Sequence, residues 1–198
     1  VNPARPLVVL IGPPGAGKSS VGPLVAARLG VEFRDTDADV GAAAGKPVSD
    51  IFIENGEEAF RELERAAVAS ALAQDSALRA RGGVLALGSG AVLDGGIVPL
   101  LAGLSVVYLS ARFGTLVRRI GLDRPRVVVP GNPRGRLRAM LDTRLPLYQR
   151  LAAVTVETDD LDPDELAAQI AAKISAQPAE PAESAESAEP TEKGEGPR

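Results

Sequence analysis

Apolar residues in this chain fall into short unbroken runs and longer spaced patterns, and the two alternate to about position 175. Leu7-Val8-Val9-Leu10-Ile11 is such a run, Val84–Leu87, Ser105–Leu109 and Val154–Val156 read as further strands, and Val31–Arg34 is a short extended piece. Short apolar runs of this kind suit strands buried on both faces. Between them the spacing lengthens. Ser19 to Leu29 reads as helix, Asp39–Ala44 breaks at Gly45-Lys46-Pro47, and Val48–Asn55 restarts it. From Glu57 to Leu78, apolar Phe60, Leu63, Ala67, Val68, Ala71 and Leu72 follow a period of about 3.6 residues, until Gly82-Gly83. Helices are also predicted over Gly96–Ala102, 112–121 and Arg136–Leu151, with a Pro-, Gly- and Arg-rich loop at 122–135. Asp162 caps a last helix to Ser175, with Pro163 in its first position. Pro23 falls too deep in the first helix to be harmless, so that helix should start late or bend there. The alternation predicts an α/β fold of three layers, α/β/α, around a central five-stranded parallel sheet.

Composition adds exclusions. The 198 residues suit one domain with a buried core. Cysteine is absent, which rules out disulfides and thiolate metal sites. Histidine is absent too, so a general base near neutral pH must be a carboxylate or a lysine. No apolar run reaches the ~20 residues of a membrane span and no signal-like segment opens the sequence, so a cytoplasmic protein without a membrane partner is expected.

The net charge of −4 belongs to the end of the chain. Residues 177–198 hold six Glu against one Lys and one Arg, whereas residues 1–176 balance 20 acids with 20 bases. Low hydrophobicity with Pro, Ala, Glu and Ser marks 177–198 as a disordered acidic tail behind a domain spanning 1–176. Residues 112–150 carry ten Arg and only two acids, Asp123 and Asp142. With few aromatics for base stacking, that stripe suits polyphosphate and small anions better than nucleic acid.

Residues 12–19, Gly-Pro-Pro-Gly-Ala-Gly-Lys-Ser, fit G-x-x-x-x-G-K-[ST] between a strand and a helix, the context of a P-loop. Gly12, Pro13, Pro14, Gly15, Ala16, Gly17, Lys18, Ser19 and Ser20 are therefore the candidate phosphate cradle. Glycines let backbone N–H groups turn toward phosphate oxygens, and the helix N-terminus adds its positive end. Lys18 brings charge to the β/γ-phosphates, and Ser19 is placed for Mg²⁺. In an open parallel sheet, ligands bind at the carboxyl ends of the strands. Those ends carry the P-loop, Asp35-Thr36-Asp37 and Gly88-Ser89-Gly90, with the arginine-rich segment after the fourth strand.

Taken in order, GPPGAGKS, D-T-D at 35–37, F-R-x-x-E at 60–64, the glycine turn at 88–90, Arg124-Pro125 and R-x-P-L-Y at 144–148 resemble a shikimate kinase. The resemblance covers about residues 6–175. It implies a P-loop kinase fold with a lid at about 112–130, and ATP- and Mg²⁺-dependent phosphorylation of the 3-hydroxyl of shikimate by a monomer. By position, Asp37 would bind the substrate hydroxyls and act as base or orienting group. Asp35 would hold Mg²⁺ with Ser19. Arg61 and Arg144 would clamp the substrate carboxylate beside Gly88, Ser89 and Gly90. Arg124 would meet the transferring phosphoryl group from the lid, and Arg119 and Pro163 would flank adenine.

Other readings remain at this stage. Arg61 lies four residues after Glu57 and three before Glu64, a spacing that also suits surface ion pairs. Arg144 reads equally as a solvated helix residue, and Arg126, Arg134, Arg136 and Arg138 as a basic face outside the site. Ser89 stands where the family pattern has glycine, and Arg126-Val127 where it has leucines. A gluconate or nucleotide kinase on the same scaffold is the nearest rival, and a nucleotide-binding regulator with a degenerate site is the rival of another class.

Overall fold

A computed structural model describes residues 6–123 and 131–176. Five parallel strands, β1 (Leu7–Ile11), β2 (Glu32–Asp35), β3 (Gly83–Ala86), β4 (Ser105–Ser110) and β5 (Val154–Glu157), lie in the order β2-β3-β1-β4-β5. Leu7 pairs with Gly83 and Val8 with Ser105, so β1 is held on both sides at the centre.

Alternation along β1 splits the core in two. Val8 and Leu10 face α1 (Lys18–Leu29) and α7 (Pro163–Ser175), packing with Val21, Val25, Leu166 and Ile170. Val9 and Ile11 face the opposite layer, which contains α3 (Val48–Leu72), α4 (Ala77–Arg81) and α6 (Pro133–Leu151). Both faces of the central strands are covered, so β1 and β3 are apolar throughout, whereas the edge strands carry polar residues, Glu32, Arg34 and Asp35 in β2 and Thr155 and Glu157 in β5. Two further helices, α2 (Thr36–Ala44) and α5 (Phe113–Arg119), stand at the carboxyl ends of β2 and β4. Among the described residues, no helix is long and apolar enough to cross a membrane.

Several boundaries differ from the expected ones for local chemical reasons. α1 starts at Lys18 and runs through Pro23, so only the Ser19 carbonyl lacks its usual helical donor. α3 stops at Leu72, because Ser76 accepts from the Arg79 N–H and caps a separate helix, α4. Within α3 the helix breaks at Gly56, at φ 84°. The segment expected as helix over 96–102 is a 3₁₀ turn, Val98–Leu101, containing Pro99, and a similar turn covers Ala91–Leu93. α6 begins three residues earlier than the apolar pattern suggested, since Asn132 caps it and Pro133 fits its first turn. α5 is anchored through buried Leu116 and Val117, which pack with Leu137. Arg138 stacks 4.0 Å over the Phe113 ring.

Candidate active site

The P-loop forms where β1 ends. Gly12, Gly15 and Gly17 all have positive φ, and a Cβ on Gly12 would stand 2.5 Å from the Leu109 carbonyl oxygen of β4. Glycine there is required by conformation and by space. Lys18 Nζ donates to the carbonyls of Gly12 (2.7 Å) and Pro13 (3.2 Å). Loss of water lowers the lysine to about 8, against the raising influence of Asp37 and Asp35, while Arg144 lowers it further.

The D-T-D segment closes over the loop from β2. Ser19 Oγ donates to Asp35 Oδ2 at 2.6 Å, and Asp35 Oδ1 accepts from the Asp37 N–H, capping α2. Thr36 is buried and accepts from the Gly88 N–H at 3.0 Å, tying the β2 exit to the β3 exit. Asp37 is raised above its ordinary value, first by lost solvation and then by Asp35, while Lys18 and Arg61 pull it down. A cavity of about 390 Å³ joins Gly15, Lys18, Ser19, Asp35, Asp37 and Ser89.

Gly88-Ser89-Gly90 is the meeting point of the opposite wall. A Cβ on Gly88 would lie 2.3 Å from Glu64 Oε1 and 2.7 Å from Asp37 Oδ1. One on Gly90 would lie 2.4 Å from Arg61 Nη1. Gly90 has an ordinary φ of −95°, so close approach is what demands glycine there. Between them, Ser89 Oγ accepts from Arg144 Nη1 at 3.1 Å, and its carbonyl accepts from the Tyr148 hydroxyl at 2.6 Å. Three consecutive residues thus touch Asp37 and Glu64, then Arg144, then Arg61.

Arg61 makes both ion pairs its spacing allows, to Glu57 at 3.1 Å and to Glu64 at 2.6 Å. Only the first is a surface pair. The Glu64 side chain is 1% exposed, and its Oε1 has no hydrogen-bond partner among the described residues. Burial raises Glu64 despite the hydrogen bond from Arg61, and Asp37 adds to the rise. Tyr148 is buried, stacks 5.2 Å from Tyr108, and is pushed up to about 12 by burial.

The remaining expected residues lie toward β5. Arg119 donates to the Gly15 carbonyl and to both Thr158 oxygens, linking α5, the P-loop and the β5 exit. Pro163 opens α7 behind the capping box of Asp162 and Glu165. Arg124, expected at the lid, lies outside the described residues. Thr36, Glu64 and Tyr148 had no assigned place in the site. Glu64 and Tyr148 stood inside quoted motifs, yet their burial depends on a turn remote in sequence. A second concavity of about 340 Å³ between β5 and α7 is lined by Glu157, Asp160, Gln169 and Lys173, with neither a glycine loop nor an arginine fork.

A family model described as shikimate kinase matches residues 14–175. The shikimate kinase of Thermobifida fusca is 53% identical over 173 residues, covering 87% of this chain and 97% of that protein. The shikimate kinase of Salinispora arenicola is 51% identical over 171 residues, covering 86% and 99%. Among solved structures, the shikimate kinase of Acinetobacter baumannii in complex with shikimate superposes with a TM-score of 0.75 at 33% identity, covering 85% of this chain and 92% of that one.

Proposed function

The chain belongs to the shikimate kinase family, and on that premise we propose that it transfers a phosphoryl group from ATP to the 3-hydroxyl of shikimate, with Asp37, Arg61 and Arg144 as the acceptor half of the site. The observation that carries this reading is the turn at 88–90, which gathers two carboxylates, Asp37 and the buried Glu64, and two arginines opposite the P-loop. An acceptor held there is small, hydroxylated and anionic, because planar guanidinium groups pair both oxygens of a carboxylate.

Ser19 Oγ and Asp35 Oδ2, 2.6 Å apart beside the loop, are hard oxygen donors suited to Mg²⁺, with Asp35 acting through water. Bound Mg²⁺ supplies neutralisation of phosphate charge. Lys18 leaves the Gly12 and Pro13 carbonyls for the β/γ-phosphates. The acceptor oxygen attacks the γ-phosphorus, the bond to the β-phosphate oxygen breaks, ADP departs, and Asp37 takes the hydroxyl proton. Its raised proton affinity suits that task. Arg124 meets the transferring group, on the strength of the resemblance and of the match between guanidinium and phosphoryl oxygens. Arg119 and Pro163 flank adenine, a reading supported by their position around the β5 exit beside Gly15. The protein works in the cytoplasm as a monomer without nucleic-acid partners, in keeping with the balanced charge of residues 1–176.

A coupled ADP-release assay with ATP, Mg²⁺ and shikimate, gluconate or nucleoside monophosphates tests the reading. Turnover is expected with shikimate alone. Turnover of another acceptor and not shikimate points to the related kinase, and ATP binding without any turnover points to a regulator.

A further inference from the structure

α6 reads residue 89 twice. Arg144 and Tyr148 are four residues apart and so share a helix face. The Tyr148 hydroxyl bonds to the carbonyl of residue 89, a contact any residue would provide. Arg144 Nη1 bonds to the side-chain oxygen at 3.1 Å, a contact that exists only because the residue is serine. The neighbouring positions cannot carry a side chain, since a Cβ at 88 would press on Glu64 and Asp37 and one at 90 on Arg61. Position 89 is the place in this turn where a side chain is accommodated, and it opens onto the cavity shared with Lys18 and Asp37.

We infer that Ser89 is a positioning residue for the acceptor carboxylate, its hydroxyl accepting from Arg144 so that the guanidinium is oriented before substrate arrives, and donating its own proton to the carboxylate. This rests on Arg144 being the carboxylate clamp. A hydroxyl has one donor and two acceptor sites, so it serves both partners at once. Arg144 is only half-buried on a long stem; without an anchor, substrate must immobilise it at an entropic cost. The fully buried Tyr148 holds the turn still from below, which fixes the height at which the serine oxygen meets the arginine.

Steady-state kinetics of Ser89→Gly, Ser89→Ala, Arg144→Ala and Ser89→Gly/Arg144→Ala test this. Ser89→Gly and Ser89→Ala should each raise the KM for shikimate about two- to tenfold, as expected for ordering one long side chain. The kcat should stay within about twofold, with the KM for ATP and the melting temperature unmoved. In the Arg144→Ala background, Ser89→Gly should raise the KM by less than it does in the wild type, because the orienting contact to Arg144 is already gone and only the serine's own bond to the carboxylate remains to be lost. An unchanged or lower KM in Ser89→Gly, a normal KM in Ser89→Ala, or an equal rise without Arg144 overturns the inference. A wild-type protein that does not phosphorylate shikimate overturns both this and the function it rests on. An active wild type with an unaffected Ser89→Gly variant overturns this one alone.

Discussion

Gly90→Ala adds one methyl group and removes no functional atom, yet it should cripple substrate recognition. The new Cβ would stand 2.4 Å from Nη1 and 2.6 Å from Nη2 of Arg61. Restoring ordinary contact requires the guanidinium to retreat by about 1 Å. That retreat carries the 2.6 Å bond between Arg61 and Glu64 beyond hydrogen-bonding range. Water cannot replace the lost donor well, because the Glu64 side chain is only 1% exposed. A charge-assisted bond of this kind contributes about 1.5–3 kcal/mol. For a domain of this size, melting should fall by roughly 3–12 °C. If Arg61 clamps the substrate, its KM should rise by about 10- to 150-fold, with the KM for ATP unchanged. A pH dependence follows as well. Burial and neighbouring Asp37 and Asp94 already raise Glu64 above the ordinary glutamate value, and Arg61 opposes them. An acid with a raised folded pKa loses stability as pH climbs through that pKa. Displacing Arg61 raises it further, so the melting deficit should widen from pH 5 to pH 8. Enzyme kinetics and thermal melts across that range measure both effects. A shikimate KM within about twofold of wild type, together with a pH-independent deficit, would falsify the reasoning and return Arg61 to a simple ion pair.

Three further outcomes are expected. Asp37→Asn should lower kcat by about 100-fold or more while ATP still binds; near-normal turnover removes its assigned role. Because Asp37 is raised from 3.8, the wild type should lose stability above that pH, so the variant should out-melt it at pH 7 and not near pH 4. Lys18, held at about 8, loses its charge early, so kcat/KM for ATP should decline above about pH 8. A profile flat to pH 10 refutes this. Truncation after Ala176 should leave turnover and melting nearly unchanged, since the buried residues of α7 end at Ile174; a large loss of either shows that residues 177–198 dock.

Strands and the P-loop were legible because their signals are local. Leu7–Ile11 needed no partner to read as a buried strand, and glycine spacing alone drew the cradle. D-T-D was readable for the same reason, one acid capping α2 while the other stands in its first turn. What stayed hidden depended on tertiary approach. Glu64 follows ordinary surface spacing on an amphipathic helix, and becomes buried only because Gly88 lets the turn close onto it. Tyr148 read as a motif letter, yet its hydroxyl is committed to a backbone carbonyl 59 residues away. The end of α3 was misplaced because a serine cap at Ser76 outweighs a continuing apolar period.

The strand order sets a ruler across the top of the sheet. Asp37 follows β2, the phosphate loop follows β1 and Thr158 follows β5, so acceptor and adenine sides lie two strands to either side of the loop. At about 4.8 Å per strand, each half spans about 10 Å. The acceptor side is built by β2, β3 and the helices packed on them, with α6 contributing Arg144 and Tyr148 from its place on the same face, against β4. Acceptor choice can therefore drift through residues 37, 61, 88–90 and 144 while the nucleotide side stays as it is. A new kinase specificity on this frame is an edge edit, and the central strand need never be touched.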